Sequence, residues 1–232
     1  MDRDVIYNQN CLDGLKGLPD GSVDLVVTDP PYLIESTKAG GKSQLAKSIQ
    51  KMNNQIEGSN LTSGFDPAIL DELVRVMRRI NIYIWCNHKQ IPQYLDYFVK
   101  GLGCSFDIII WNKTNPSPLF NNKYMTDKEY CLYFRKGAYC NPPTYEQAKT
   151  VYYQPMNVTD KRKYGHPTIK PLNIIQNLIE NSSKEGETVL DPFLGSGTTA
   201  VAAVIVNRRY IGYELDPNYY DVACGRLDEV EA

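Results

Sequence analysis

Short apolar runs along the chain alternate with longer segments in which apolar residues recur every three or four positions, a rhythm that predicts strands alternating with helices. Strands are expected at Val5–Asn8, Val23–Thr28, Ile80–Cys86, Phe106–Asn112, Tyr130–Arg135, Thr188–Asp191 and Tyr210–Glu214. Helices are expected at Pro67–Arg79, Lys89–Gly101, Pro171–Ser183, Thr198–Asn207 and Asn218–Val230. In the first helix Ile69, Leu70, Leu73, Val74 and Met77 share one face, which is therefore core. Asp66-Pro67 and Asp216-Pro217 each place a capping acid before a proline suited to the first helical position. Strands of this kind separated by helices make a mostly parallel sheet covered on both faces, so the fold class is α/β.

Two stretches break the rhythm. Residues 33–64 are polar and rich in Gly, Ser, Asn and Lys, with only a weak apolar pattern near Leu45–Met52. Residues 138–164 are also irregular, and interleave tyrosines (Tyr139, Tyr145, Tyr152, Tyr153, Tyr164) with Lys149, Lys161, Arg162 and Lys163. At 232 residues the chain suits one domain carrying these two segments as insertions.

Composition narrows the class. No apolar run approaches the length of a membrane span, and the start, MDRDVIYNQN, has no apolar signal core, so a cytoplasmic location is expected, without a membrane partner. The six cysteines form no C-x-x-C pair and read as reduced, buried small hydrophobes, so neither zinc nor a disulfide is expected. The net charge of -2 conceals an asymmetry. From Leu33 to Lys51 four lysines meet one acid, and from Asn112 to Lys170 ten Lys/Arg meet four acids. Positive charge gathered into two segments of an otherwise acidic chain suits a face that binds a polyanion.

Two motifs carry the candidate chemistry. The strand VDLVVT stops at Asp29-Pro30-Pro31-Tyr32, which sets a carboxylate beside an aromatic ring where two prolines remove backbone donors. Far downstream, ETVLDPFLGSGTTAVAA ends a strand at Asp191, turns through Gly195-Ser196-Gly197 and starts a helix at Thr198. The glycines allow a sharp turn and close backbone approach, and the helix start offers free amides to an anionic group. Glu214 ends the next strand, where an acid can accept from ribose hydroxyls. The loop lacks both the full dinucleotide glycine spacing and the lysine of a phosphate loop, which disfavours NAD and nucleoside triphosphates. What remains is an adenosine-type ligand bearing a small carboxylate, and S-adenosylmethionine is the obvious candidate.

Together the motifs resemble the beta group of DNA amino-methyltransferases, in which Asp-Pro-Pro-Tyr precedes the cofactor glycines. The resemblance extends from Cys11-Leu-Asp-Gly-Leu-Lys-Gly-Leu-Pro19 and Ser22–Tyr32 through Trp111-Asn-Lys113, Glu129–Lys136, His166-Pro-Thr-Ile-Lys-Pro171 and Asp191–Thr199. It implies a Rossmann-like, S-adenosylmethionine-dependent methyltransferase fold with a mostly parallel seven-stranded sheet and circularly permuted motif order. It further implies a cofactor loop of Asp191, Phe193, Gly195 and Gly197, with Ser196, Thr198, Thr199 and Lys170 near the methionine carboxylate and Glu214 on the ribose. His166 is held only as a residue that fixes its loop. Asn10 and Cys11 belong to the cofactor site too, although relatives commonly carry Gly-Asp where this chain has Gln9-Asn10; an Asn oxygen can still accept from the adenine amino group.

By the same resemblance Asp29, Pro30, Pro31 and Tyr32 form the catalytic motif of an N6-adenine methyltransferase acting on double-stranded DNA after base flipping, with S-adenosylhomocysteine as product and no metal. DNA contact falls to Lys38, Lys42 and Lys47 in the first insertion, a basic active-site loop. In the second, a short target-recognition segment, it falls to Lys161, Arg162 and Lys163. A homodimer and a cognate restriction nuclease are further expected partners. N4 methylation of cytosine and a DNA- and cofactor-binding module without catalysis are the competing readings.

Overall fold

The computed structural model describes residues 4–32, 50, 64–118, 120, 122, 124–166 and 168–231. Eight strands form one sheet: β1 (Val5–Asn8), β2 (Leu25–Thr28), β3 (Asn81–Cys86), β4 (Ser105–Lys113), β5 (Lys128–Arg135), β6 (Val151–Gln154), β7 (Thr188–Asp191) and β8 (Arg209–Glu214). Their order is β1-β8-β7-β2-β3-β5-β4-β6. The neighbours from β1 to β3 all run parallel. β5 lies antiparallel to both β3 and β4, and β6 runs parallel to β4 at the edge. Every strand except β5 therefore ends at the same edge of the sheet, the edge where α/β folds bind ligands.

The described helices are α1 (Cys11–Lys16), α2 (Ala68–Val76), α3 (Ile91–Tyr94, continuing as a π-helical turn over Leu95–Gly101), α4 (Val158–Tyr164), α5 (Leu172–Ser182), α6 (Thr198–Ile205) and α7 (Pro217–Glu231). No described helix is long and apolar enough to cross a membrane. The expected capping acids act as anticipated in part: Asp66 Oδ1 accepts from Ala68 N–H and Asp216 Oδ1 from Asn218 N–H.

Both sheet faces are covered, and the alternation of strand side chains explains how. On one face Leu25, Val27, Tyr83 and Trp85 pack with Ile174, Ile175 and Leu178 of α5 and Ala200–Ala203 of α6. On the other, Val26, Ile82 and Ile84 pack with Leu15 of α1, Ile69, Leu70 and Leu73 of α2, and Phe98. Each of the Val, Leu, Ile and Phe side chains among them, fully buried, contributes about 1.5–3 kcal/mol.

Two expectations are corrected. The sheet has eight strands rather than seven, because 138–164 is not irregular throughout. It contains β6 and α4. β6 reads Val-Tyr-Tyr-Gln, and its inward and outward positions differ little in polarity because an edge strand buries little on either face. Cys11–Lys16, not expected as a helix, is one, started by Asn10, whose side chain accepts from Leu12 N–H at 2.9 Å. The 33–64 insertion lies outside the described residues except for Gln50 and Gly64, and with it Lys38, Lys42 and Lys47.

Candidate active site

β2 delivers Asp29 to the ligand-binding edge, β7 delivers Asp191 and β8 delivers Glu214, and the three acids meet although 162 and 185 residues separate Asp29 from the other two. A cavity of about 560 Å³ opens there, within the range of small-molecule sites. Of the residues expected to hold cofactor, all but Gly197 line it: Asn10, Cys11, Asp29, Lys170, Asp191, Phe193, Gly195, Ser196, Thr198, Thr199 and Glu214. Pro31 also lines it, whereas Pro30 and Tyr32 stand outside the lining. Sequence reasoning missed Phe65, which closes on Phe193 with ring centroids 5.5 Å apart, and Tyr219, which meets the His166 ring edge-on at 4.4 Å.

The cofactor loop owes its shape to two left-handed glycines, Gly195 (φ +55°) and Gly197 (φ +84°). A Cβ at Gly197 would lie 2.9 Å from the Ala223 Cβ of α7, and one at Gly195 would lie 3.0 Å from His166 Nε2. His166 Nδ1 accepts from Thr168 N–H, and burial, with Lys170 and Lys161 nearby, lowers its pKa to about 4, so the ring is neutral.

Several expected ligand groups are already hydrogen bonded within the protein. Glu214 accepts from Gly195 N–H at 2.7 Å and from Asp216 N–H at 2.8 Å. Asp191 accepts from Thr28 Oγ1, Phe193 N–H and Thr199 Oγ1, so Thr199 faces this acid. Burial pushes the Asp191 carboxyl up to about 7, against the opposing pull of these donors. Buried Arg226 of α7, which no sequence signal marked, donates to Ser196 O at 2.6 Å and to the Ser196 and Thr198 hydroxyls at 3.1 Å, bracing the loop from behind.

Lys170 is fully buried, and its ammonium pairs with Asp29 Oδ2 and, at 3.2 Å, with Glu129 Oε2. It also lies 5.6 Å from the Tyr32 ring centroid and 5.3 Å from that of Trp85. Burial alone would depress its pKa, but Asp29 and Glu129 hold it well above the usual lysine value. The sequence expectation placed this ammonium at the methionine carboxylate; its partners here are the two protein acids. Burial raises the Asp29 carboxyl and Lys170 opposes that rise. The other carboxylate oxygen, Oδ1, is buried without a well-formed hydrogen bond among the described residues, although the Tyr32 hydroxyl stands close enough to Asp29 to favour its ionised form.

The expected DNA contacts divide. Arg162 is exposed, but Lys161 is half-buried and faces Glu129, Lys113 and Lys170, while Lys163 is paired with Glu229 at 2.8 Å.

A profile of the N6/N4 family, described as DNA methylase, matches residues 23–224. The chain belongs to the N6/N4 DNA methylase family. It is 29% identical to the type II methyltransferase M2.MboI of Moraxella bovis over 97% of this chain and 88% of that protein. With the type II methyltransferase M.HinfI of Haemophilus influenzae it shares 28% identity over 98% of this chain and 69% of the relative. Among solved structures, M1.HpyAVI in complex with SAM superposes with a TM-score of 0.67 at 22% identity, covering 97% of this chain and 98% of that one. The cytosine-N4-specific PvuII DNA methyltransferase superposes with a TM-score of 0.73 at 15% identity, over 97% and 86%. A Rossmann-like methyltransferase fold thus underlies this DNA methylase.

Proposed function

We propose that this chain transfers a methyl group from S-adenosylmethionine to the exocyclic N6 of adenine in double-stranded DNA, releasing S-adenosylhomocysteine. The observation that carries the reading is the Asp29 carboxylate lining the cavity, its Oδ2 held by Lys170 and its Oδ1 buried without a well-formed hydrogen bond, with the Tyr32 hydroxyl beside the acid. Such an acceptor is costly to leave unsatisfied, so it suits a ligand N–H. The cavity fits the cofactor: among the described residues Asp29, Asp66, Glu214 and Asp216 line it against the one cation Lys170, a surplus of negative charge suited to a sulfonium cation.

In this reading Asp29 Oδ1 and the Pro30 carbonyl accept the two N–H bonds of the amino group, drawing the nitrogen toward tetrahedral geometry and freeing its lone pair. Pro30 fixes its own φ, so its carbonyl is aimed in advance. Tyr32 stacks on the base, which must leave the duplex to reach this depth. S-adenosylmethionine supplies a methyl group on a sulfonium, and the S–C electron pair returns to sulfur as the N–C bond forms. Asp29 takes the proton that the nitrogen loses and passes it to solvent. Glu214 holds the ribose, and the Gly195–Gly197 loop with Phe193, Asn10 and Cys11 holds the remainder. Lys170 holds Asp29 in place, a part supported by its two ion pairs. The whole chain acts as one methyltransferase domain, and within 138–164 exposed Arg162 is left to meet DNA phosphate.

N4 of cytosine is the second reading, favoured by the backbone likeness to the cytosine-N4-specific PvuII enzyme. An aspartate at position 29, where the cytosine enzymes tend to carry serine, supports adenine. The D29A variant should lose about 10²–10⁴-fold in methyl transfer while its S-adenosylmethionine affinity, measured by calorimetry, stays near wild type. Near-normal turnover would sink the proposal.

A further inference from the structure

The salt bridge at Asp29 does not end at Lys170. Glu129, on β5, sits across from Trp111 of β4 in the sheet register. Lys113 is two residues beyond Trp111 and shares its face, so its ammonium reaches Glu129 Oε1 at 2.6 Å. The apolar rows of that face, Ile109 and Trp111 on β4 and Tyr133 and Cys131 on β5, thus terminate in a cation and an anion. Lys113, Glu129, Lys170 and Asp29 form an unbroken chain of alternating charge from the sheet edge to the catalytic carboxylate. The two cations balance the two anions, which suits a site from which water is largely excluded. Lys170 and Lys113 bring the buried Glu129 carboxyl, which burial alone would raise, down to about 2. Neither Lys113 nor Glu129 lines the cavity, so neither is placed to touch the cofactor.

We propose that Glu129, held by Lys113, is a positioning residue that anchors the Lys170 ammonium on Asp29 Oδ2 and so leaves Oδ1 free to face the substrate amino group. The inference rests on Asp29 being the catalytic acceptor. A lone Lys170 on a four-carbon stem could swing over both Asp29 oxygens; fixed at its far side by Glu129, it meets only one. The Asp29 charge then answers to both partners of Glu129. Removing the Glu129 charge removes a like charge that raises the Asp29 carboxyl, whereas removing Lys113 leaves the Glu129 charge unbalanced and raises it. Of the other groups facing Asp29, burial pushes Cys86 of β3, Tyr94 of α3 and Cys131 of β5 far up, so they stay neutral, as does Tyr32. Asp191 of β7 is the further carboxyl near it. Lys161 of α4 and neutral His166 face Lys170 from the other side.

The test is the initial rate of methyl transfer from labelled S-adenosylmethionine to unmethylated genomic DNA, at saturating cofactor and DNA, followed against pH. E129Q should lower the plateau rate about tenfold and move the acid limb down by about one pH unit, since Asp29 then ionises more readily. K113Q should move the same limb up. E129D, which restores the charge, should return the limb to the wild-type position, and cofactor affinity should be unchanged in all three. Acid limbs that coincide with wild type, or that shift the same way in E129Q and K113Q, would overturn the proposal. K113Q and E129D decide the matter even where E129Q fails to fold. D29N separates this inference from the reading beneath it: retained turnover in D29N defeats Asp29 as acceptor, while lost turnover with immobile limbs defeats only Glu129 and Lys113.

Discussion

Asp29 is a half-buried acid whose carboxyl is pushed up by desolvation, and Lys170 is the main group that opposes this. The pair joins residues 141 apart in sequence. The sequence marked each of them through its own motif but gave no sign that they touch, because their meeting depends on the order of strands in the sheet. Arg226 escaped because a lone charged residue in a helix looks solvated until the fold buries it, and Glu129, though it opens the motif ending at Lys136, gave no sign of its ion pairs. Asp191 offers a separate test at this scale. Its folded carboxyl titrates near 7, above its unfolded value, so the folded state holds a proton that the unfolded state has lost and stability falls as pH rises from about 4 to 7. His166, lowered to about 4, works in the opposite sense, adding stability as pH rises toward 6.5. D191N removes the first effect and leaves the second, so between pH 4 and 6.5 its unfolding temperature should rise with pH more steeply than wild type. Parallel curves for the two proteins would show that Asp191 is ionised throughout.

Among the elements, those with a strong apolar rhythm were legible, and those shaped by tertiary pairing were not. The α2 and α5 helices and the β2, β3 and β7 strands bury a face or a whole strand, which imprints a period on the sequence. The four-residue edge strand β6 and the six-residue helix α1 bury too little to imprint one. The cofactor loop was legible because its glycines answer a backbone demand. Gly197 combines a left-handed φ with a close approach to Ala223 in α7, so G197A should destabilise the protein by about 1–3 kcal/mol and weaken S-adenosylmethionine binding. Gly186, also left-handed but in open space, is the control. G186A should cost less and leave cofactor affinity unchanged, as thermal unfolding and calorimetric titration would show. Equal losses of affinity in both variants would contradict the close-packed loop.

At the scale of the whole molecule, the parallel strands deliver three acids to one edge, and that convergence places the DNA methylase motifs together despite their permuted order. The positive segments read from the sequence prove more mixed in space. Arg162 is exposed, Lys163 is paired with Glu229, and Lys161, Lys113 and Lys170 turn inward, so part of the basic surplus neutralises Asp29 and Glu129 and does not meet phosphate. Charge counts along a chain cannot separate these uses, because both need lysines near the ligand-binding edge. The identity of the methylated base belongs to this scale as well, since in the proposed reading it depends on how the assembled site presents Asp29 to the nucleotide. Nucleoside mass spectrometry of unmethylated DNA incubated with the protein and S-adenosylmethionine tests this most directly. N6-methyladenine, present with wild type and absent with D29A, is the expected result; N4-methylcytosine, or no methylated nucleoside with wild type, would contradict it.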